Sequence, residues 1–291
     1  MKKLGLIIRR SSFLILLLTG CASQIMLHPK TARQDAIEHP VDPLRNGDQP
    51  EVITVTNQCG HRLTGWVFAS PTNHGVVLVG DGNATGLAHT YDYNRFLLRR
   101  GFNVVVLSYQ GFDANEGRAS LDSLSGDVAA FYNFCQKRFA GDPIALVAES
   151  ISTAPFFCFA SRHTEIAGIV LEGTVDPKTV ALSKVNEWWL FYPFYPSSFV
   201  VASLIGASVP RELSVQRALK RHPVTPALFI HHPNDRVTPY GNAHRIFEQY
   251  PGPKELIILR TEHSFVNHMT ANTDPAVCGK ITGFLKEKLS Q

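Results

Sequence analysis

No apolar run in these 291 residues approaches the ~20 consecutive positions that a helix needs to cross a bilayer, so no transmembrane span is predicted. Charge is sparse too: 18% of residues are Asp, Glu, Lys or Arg, against 44% hydrophobic. That balance excludes a disordered, charge-rich chain and supplies ample apolar material for a packed core. The 5 cysteines include no CxxC or CxxxC pair, which removes the usual spacing of a structural zinc site. Internal repeats and low-complexity stretches are also lacking. The surplus of base, 28 Lys+Arg over 24 Asp+Glu, comes from Lys2, Lys3, Arg9 and Arg10, because residues 1–20 contain no acid. The remainder is neutral, with no net electrostatic drive toward nucleic acid.

What is present begins with an export signal over residues 1–20. Its basic end is followed by the apolar core Phe13-Leu-Ile-Leu-Leu-Leu18 and closed by Leu18-Thr19-Gly20-Cys21. Those last four residues resemble the lipobox of bacterial lipoproteins. The resemblance implies that Cys21 is acylated and becomes the new N-terminus, anchoring the chain to the bacterial cell envelope. Ala22 rather than Asp after it implies the outer membrane, facing the periplasm. Two or three acyl chains, at ~0.8 kcal/mol per buried methylene, make such an anchor effectively permanent. From Ser23 to Pro50 no period is sustained, and Pro29, Pro40, Pro43 and Pro50 recur. Residues 21–50 therefore read as a tether with some docked turns. Among the other cysteines, Cys135 and Cys158 fall in helix-like apolar patterns and are expected as buried thiols.

Residues 51–291 suit one α/β domain. Val52–Thr56 and Leu63–Phe68 alternate as an antiparallel hairpin around a turn at Asn57–Gly60. Short all-apolar runs follow at Val76–Val79, Val104–Leu107, Ile144–Val147, Ile169–Leu171, Ala227–Ile230 and Leu256–Leu259. Helical patterns separate them, as in Leu124, Val128, Phe131 and Cys135 behind Ser120, in His244–Tyr250 and in Ile281–Leu289. Apolar on both faces and alternating with helices, they predict a mostly parallel sheet covered on both sides.

In such a sheet, function gathers beyond the carboxyl ends of the strands. Ile144–Val147 is followed by Ala148-Glu149-Ser150-Ile151-Ser152 and a helical stretch from Thr153 to Ser161. This is the context of a nucleophile elbow, although Ala148 and Ser152 occupy positions where glycines are common. Alone, Ser150 could equally be a turn serine capping a helix. Ala227–Ile230 is followed by Asp235 in Asn234-Asp-Arg-Val-Thr-Pro239, and Leu256–Leu259 by His263 in Glu262-His-Ser264. Serine, acid and histidine, in that order and each just past a strand, satisfy what a Ser-His-Asp relay on this architecture requires. Asp176, after Ile169–Leu171, is the rival acid. Glu149 reads as a packing or hydrogen-bonding residue. His231, His232 and His268 read as structural histidines, since neighbours at a strand end point to opposite faces and make a poor joint metal site.

With Gly60–Trp66, Val79-Gly80-Asp81-Gly82-Asn83 and Ser108–Gly117, these motifs resemble the α/β-hydrolase superfamily, especially its serine-aminopeptidase-like and esterase-like members, over about residues 50–290. The resemblance implies Ser150 as nucleophile, His263 as general base and then acid, and Asp235 as its orienting partner. It also implies an oxyanion hole from the backbone N–H groups of Ile151 and Asp81. Residues 177–222, with Trp188–Pro196, would be a small cap whose aromatics could line an acyl or aryl pocket. The implied activity is hydrolysis of a small-molecule or acyl ester, thioester or amide, without metal or organic cofactor. The competing reading is a non-catalytic envelope lipoprotein that uses the same fold for binding. Chemistry starting from an Asp nucleophile is disfavoured by Ser150. Oligomeric state is not legible in the sequence.

Overall fold

The computed structural model describes Ser23 and residues 26–38, 42–80, 82–83, 85–180, 206–260 and 271–290. The leader, Cys21, Asp81, His263 and His268, and the aromatic part of the expected cap lie outside the described residues.

Eight strands form one sheet in the order β1-β2-β4-β3-β5-β6-β7-β8. They are β1 Glu51–Thr56, β2 Arg62–Phe68, β3 Val76–Gly80, β4 Asn103–Leu107, β5 Ile144–Glu149, β6 Gly168–Glu172, β7 Ala227–His231 and β8 Lys254–Ile258. β2 runs antiparallel to both β1 and β4, and every other pair is parallel. The five strands from β3 to β7 are buried along their whole length, as continuous apolar runs demand when helices cover both faces. β8 departs from that expectation: as an edge strand it leaves Ile258 38% exposed.

The helices are α1 Ala32–Glu38, α2 Leu87–Leu98, α3 Leu121–Arg138, α4 Thr153–Ala160, α5 Val215–Leu219, α6 Tyr240–Gln249 and α7 Pro275–Leu289. One core cluster joins sheet residues such as Leu78, Leu146 and Leu171 to α3, α4 and α5. The other joins Val77, Val147 and Val170 to α2 and α7. Alternate residues of one strand thus feed opposite cores, which is the period-2 alternation of a sheet covered on both sides.

Ser120 caps α3 by accepting from the Asp122 amide at 3.2 Å, and Asp274 caps α7 through the amide of Ala276 at 2.8 Å. Helix α4 is buried at every residue. Part of its cover comes from within the stretch 177–222 expected as a cap, because Leu213, Val215 and Ala218 are fully buried in the same core. Residues 211–219 therefore belong to the body of the domain, and any cap ends before them. The stretch read as a tether is also docked: Met26 and Leu27 are core residues and α1 packs against α2. Its proline-rich irregularity hid these contacts, because an aperiodic segment carries no helical or strand signal even when it is packed.

Cys135, Cys158 and Cys278 are buried free thiols, and Cys59 is exposed. Burial pushes the Cys158 thiol up to about 12, so it is an inert apolar residue rather than a nucleophile.

Candidate active site

β5 ends at Glu149, and the chain reverses through one 3₁₀ turn, Ser150–Ser152, straight into α4. Ser150 absorbs the reversal with a φ of 51°. A non-glycine residue held in that left-handed region costs of order 1 kcal/mol or more, and such strain clusters at functional positions. This is the strand–turn–helix geometry of a nucleophile elbow. It forms although neither flanking position is glycine.

Neighbouring residues provide the room. Ala148 pairs with Gly80 of β3 on one side and Leu171 of β6 on the other. A Cβ on Gly80 would stand 2.7 Å from the Phe156 ring and 3.2 Å from Ser152 Oγ. Glycine at position 80 therefore keeps open the space that the Ser152 side chain uses. Thr153 fastens the turn: its hydroxyl donates to the Ser150 carbonyl at 2.6 Å and accepts from the Val175 amide at 3.0 Å. The Ile151 amide belongs to the first turn of this helical run, where no carbonyl of the run can reach it. The positive end of the helix dipole points at the same spot.

Asp235 lies in the loop after β7, buried at 6% exposure. Its Oδ1 accepts from the amides of Val237 and Thr238, both at 2.8 Å, and its Oδ2 from the Thr238 hydroxyl at 2.5 Å. Three donors fix the carboxylate in one orientation. His231 places Nε2 2.7 Å from the Thr238 carbonyl and 3.7 Å from Asp235 Oδ2. A carbonyl cannot donate, so that nitrogen carries the proton. His232 Nδ1 accepts from the Asn234 amide at 3.0 Å. Both histidines brace the acid's loop. Among the described residues no group of His, Cys, Asp and Glu is arranged to hold a metal ion.

Asp176 directs its carboxylate into its own turn, taking the Lys178 amide at 3.3 Å and the Thr179 hydroxyl at 3.0 Å. Ser150 and Asp235 follow the carboxyl ends of β5 and β7, strands separated by one strand, and those strand ends lie about 10 Å apart. One imidazole spans such a gap. His263 follows β8, in a segment outside the described residues.

Glu149, expected as a packing or hydrogen-bonding residue, is paired with a strand-end acid that the sequence reading did not single out, Glu172. Glu149 and Glu172 face one another across β5 and β6, at 1% and 4% exposure. Asn94 of α2 donates to Glu149 at 3.0 Å. Glu172 accepts from the Tyr93 hydroxyl at 2.7 Å and the Ala271 amide at 2.9 Å. The signal was visible in hindsight, since each of these apolar runs closes with a glutamate that the sheet would bury.

The fold and this strand-end site define the class: the chain has the α/β-hydrolase fold. No family model matches it. It is similar to an uncharacterised protein of Mycobacterium tuberculosis, 28% identical over 211 residues that cover 71% of this chain and 69% of that one. It is similar also to the alpha/beta hydrolase domain-containing protein aho-3 of Caenorhabditis elegans, 27% identical over 188 residues, covering 62% of this chain but 49% of the nematode protein. Among solved structures, the esterase Pf2001 of Pyrococcus furiosus superposes with a TM-score of 0.67 at 15% identity, covering 85% of this chain and 95% of the other. An esterase domain from Rhodothermus marinus superposes at 0.59 with 16% identity, covering 82% and 99%.

Proposed function

We propose that the protein is a lipid-anchored serine hydrolase that cleaves a carboxylic ester, or a thioester or amide, through an acyl-enzyme intermediate. The observation that carries this reading is Ser150, strained at φ 51° on the turn into α4. His263 takes the Ser150 proton as the hydroxyl attacks the substrate carbonyl, and then gives it to the leaving group. Asp235 orients the imidazole and stabilises its cationic form. The amides of Ile151 and Asp81 receive the oxyanion, where loss of one donor costs ~10²–10³ in rate. Water then repeats the sequence on the acyl-enzyme.

The esterases on which this chain superposes support ester chemistry. The lipobox-like Leu18–Cys21 supports anchoring in the bacterial envelope, on the outer membrane. The described residues contain no helix long and apolar enough to cross a membrane. Labelling by a fluorophosphonate probe, together with turnover of a short-chain aryl ester, tests the proposal. Both are expected in the native protein and lost in Ser150→Ala, with turnover falling by ~10⁶. A native protein no more active than Ser150→Ala would leave a binding lipoprotein as the reading.

A further inference from the structure

The segment beside the lipobox is bound to the edge of the sheet that carries Ser150. Ser23 accepts from the Leu121 amide at the start of α3, 3.1 Å away, and its carbonyl takes the Leu27 amide at 2.8 Å. Asn83, in the loop after β3, donates to the Met26 carbonyl and accepts from the His28 amide at 2.7 Å. The Lys30 carbonyl accepts from Asp113, in the loop after β4, at 2.8 Å. Asp35, 1% exposed, caps α2 through the amides of Gly86, Ala88 and His89 at 3.1–3.3 Å. Every one of these partners follows the carboxyl end of a parallel strand, as Ser150 does. The segment is a strap along the β3–β4 part of the edge that carries Ser150, and Ile37 on it is 69% exposed.

Ser23 is two residues from Cys21, a reach of at most about 7 Å. An acyl chain on Cys21 therefore enters the bilayer beside α3's first turn and not at the end of a flexible leash. We propose that the strap seats the Ser150 edge against the membrane, and that the substrate is a long-chain acyl ester presented at the bilayer surface, chiefly that of a membrane lipid. This rests on the anchored-hydrolase reading above and adds an orientation and a substrate class to it.

Native cysteines allow a test that does not depend on activity. Cys59 is the exposed thiol among the described cysteines and lies in the β1–β2 turn, on the Ser150 edge. The β1–β2 turn packs against α3 at Gly126, so Ala140, exposed just past the far end of α3, lies about 21 Å further along that helix. The acylated protein, labelled at Cys59 in phosphatidylethanolamine–phosphatidylglycerol vesicles, is expected to be strongly quenched by a nitroxide-headgroup lipid. The double variant Cys59→Ser/Ala140→Cys, labelled at residue 140, should not be. Equal quenching at the two positions overturns the orientation.

A spacer of about twenty Gly/Ser residues between Ala22 and Ser23, spanning roughly 25 Å, supplies the second arm. It should cut turnover of a fluorogenic phospholipid in the vesicles at least about tenfold, because the orientation is lost and the effective concentration falls. Turnover of a soluble short-chain ester should not change. Undiminished phospholipid turnover by the spacer variant overturns the proposal, and so does a preference for an acylated peptide in the same vesicles over the phospholipid. Failure of the underlying reading is separately visible: the soluble ester stays intact, or mass spectrometry finds no acyl group on Cys21.

Discussion

The Tyr109 hydroxyl donates to Ser152 Oγ across 2.8 Å, linking the loop after β4 to the turn that carries Ser150. Both residues are buried, at 4% and 0% exposure. The hydroxyl that replaces a hydrogen at the second elbow position is thus a built-in partner of a buried phenol. Ser152→Ala removes this hydrogen bond between two buried hydroxyls. The variant is expected to lose about 1–3 kcal/mol of stability, read from urea unfolding midpoints at constant m-value.

The two candidate acids should separate cleanly. In the proposed relay, Asp235→Asn keeps the shape of the β7 loop but removes the carboxylate that would set the tautomer and charge of His263, so ester turnover should fall by ~10³–10⁴. Asp176→Asn changes a carboxylate that already serves its own turn, and activity should stay within about twofold, since no catalytic donor is bound there. Steady-state rates on one aryl ester decide between them. A larger loss at Asp176 would move the acid to the loop after β6.

Much of this architecture was legible because each central strand is buried on both faces and must be apolar throughout. The runs at 76–79, 104–107, 144–147, 169–171 and 227–230 are strands to within two residues at either end. Helix α2 was not read from periodicity: its inward side carries Thr90, Tyr91, Tyr93 and Asn94 along with leucines, so no clean apolar stripe marks it. Two of those polar residues bond the buried glutamates, and their reason lies in strands far along the chain. The strap was hidden for a related cause. Asp35, Asn83 and Ser23 act on backbone amides and carbonyls, which leave no trace in the partner's side-chain identity. The elbow lacked its glycines in sequence because part of the space it needs comes from Gly80, on another strand.

Asp113 gives stability a pH dependence whose sign can be worked out. Burial, with a contribution from the Asp35 carboxylate, pushes its pKa up to about 6 from an ordinary 3.8. The native state therefore holds a proton between those values that the unfolded chain releases. This group's contribution is full below about pH 4 and is lost as pH rises through about 6. Asp113→Asn keeps an acceptor for Ser108 and suits the local φ of 52°, which asparagine tolerates well. The variant should be more stable than the native protein at pH 7.5, with the gain vanishing near pH 4. Urea midpoints at the two pH values check it.

Ala271 is the first described residue after the segment that holds His263, and its amide lies 2.9 Å from Glu172 and 3.0 Å from the Tyr93 hydroxyl. The strand-end acid thus fastens the chain at Ala271, eight positions after the proposed base His263. Glu172→Ala removes the acceptor for two buried donors at once and should cost about 3 kcal/mol. Tyr93→Phe leaves the Glu172–Ala271 bond in place and should cost nearer 1 kcal/mol. If the anchor positions the imidazole, kcat per folded molecule should fall at least about tenfold in Glu172→Ala with KM little changed, and Glu172→Gln, which keeps a carbonyl acceptor, should restore most of it. Activity that tracks only the folded fraction in all three variants would reduce Glu172 to a structural residue.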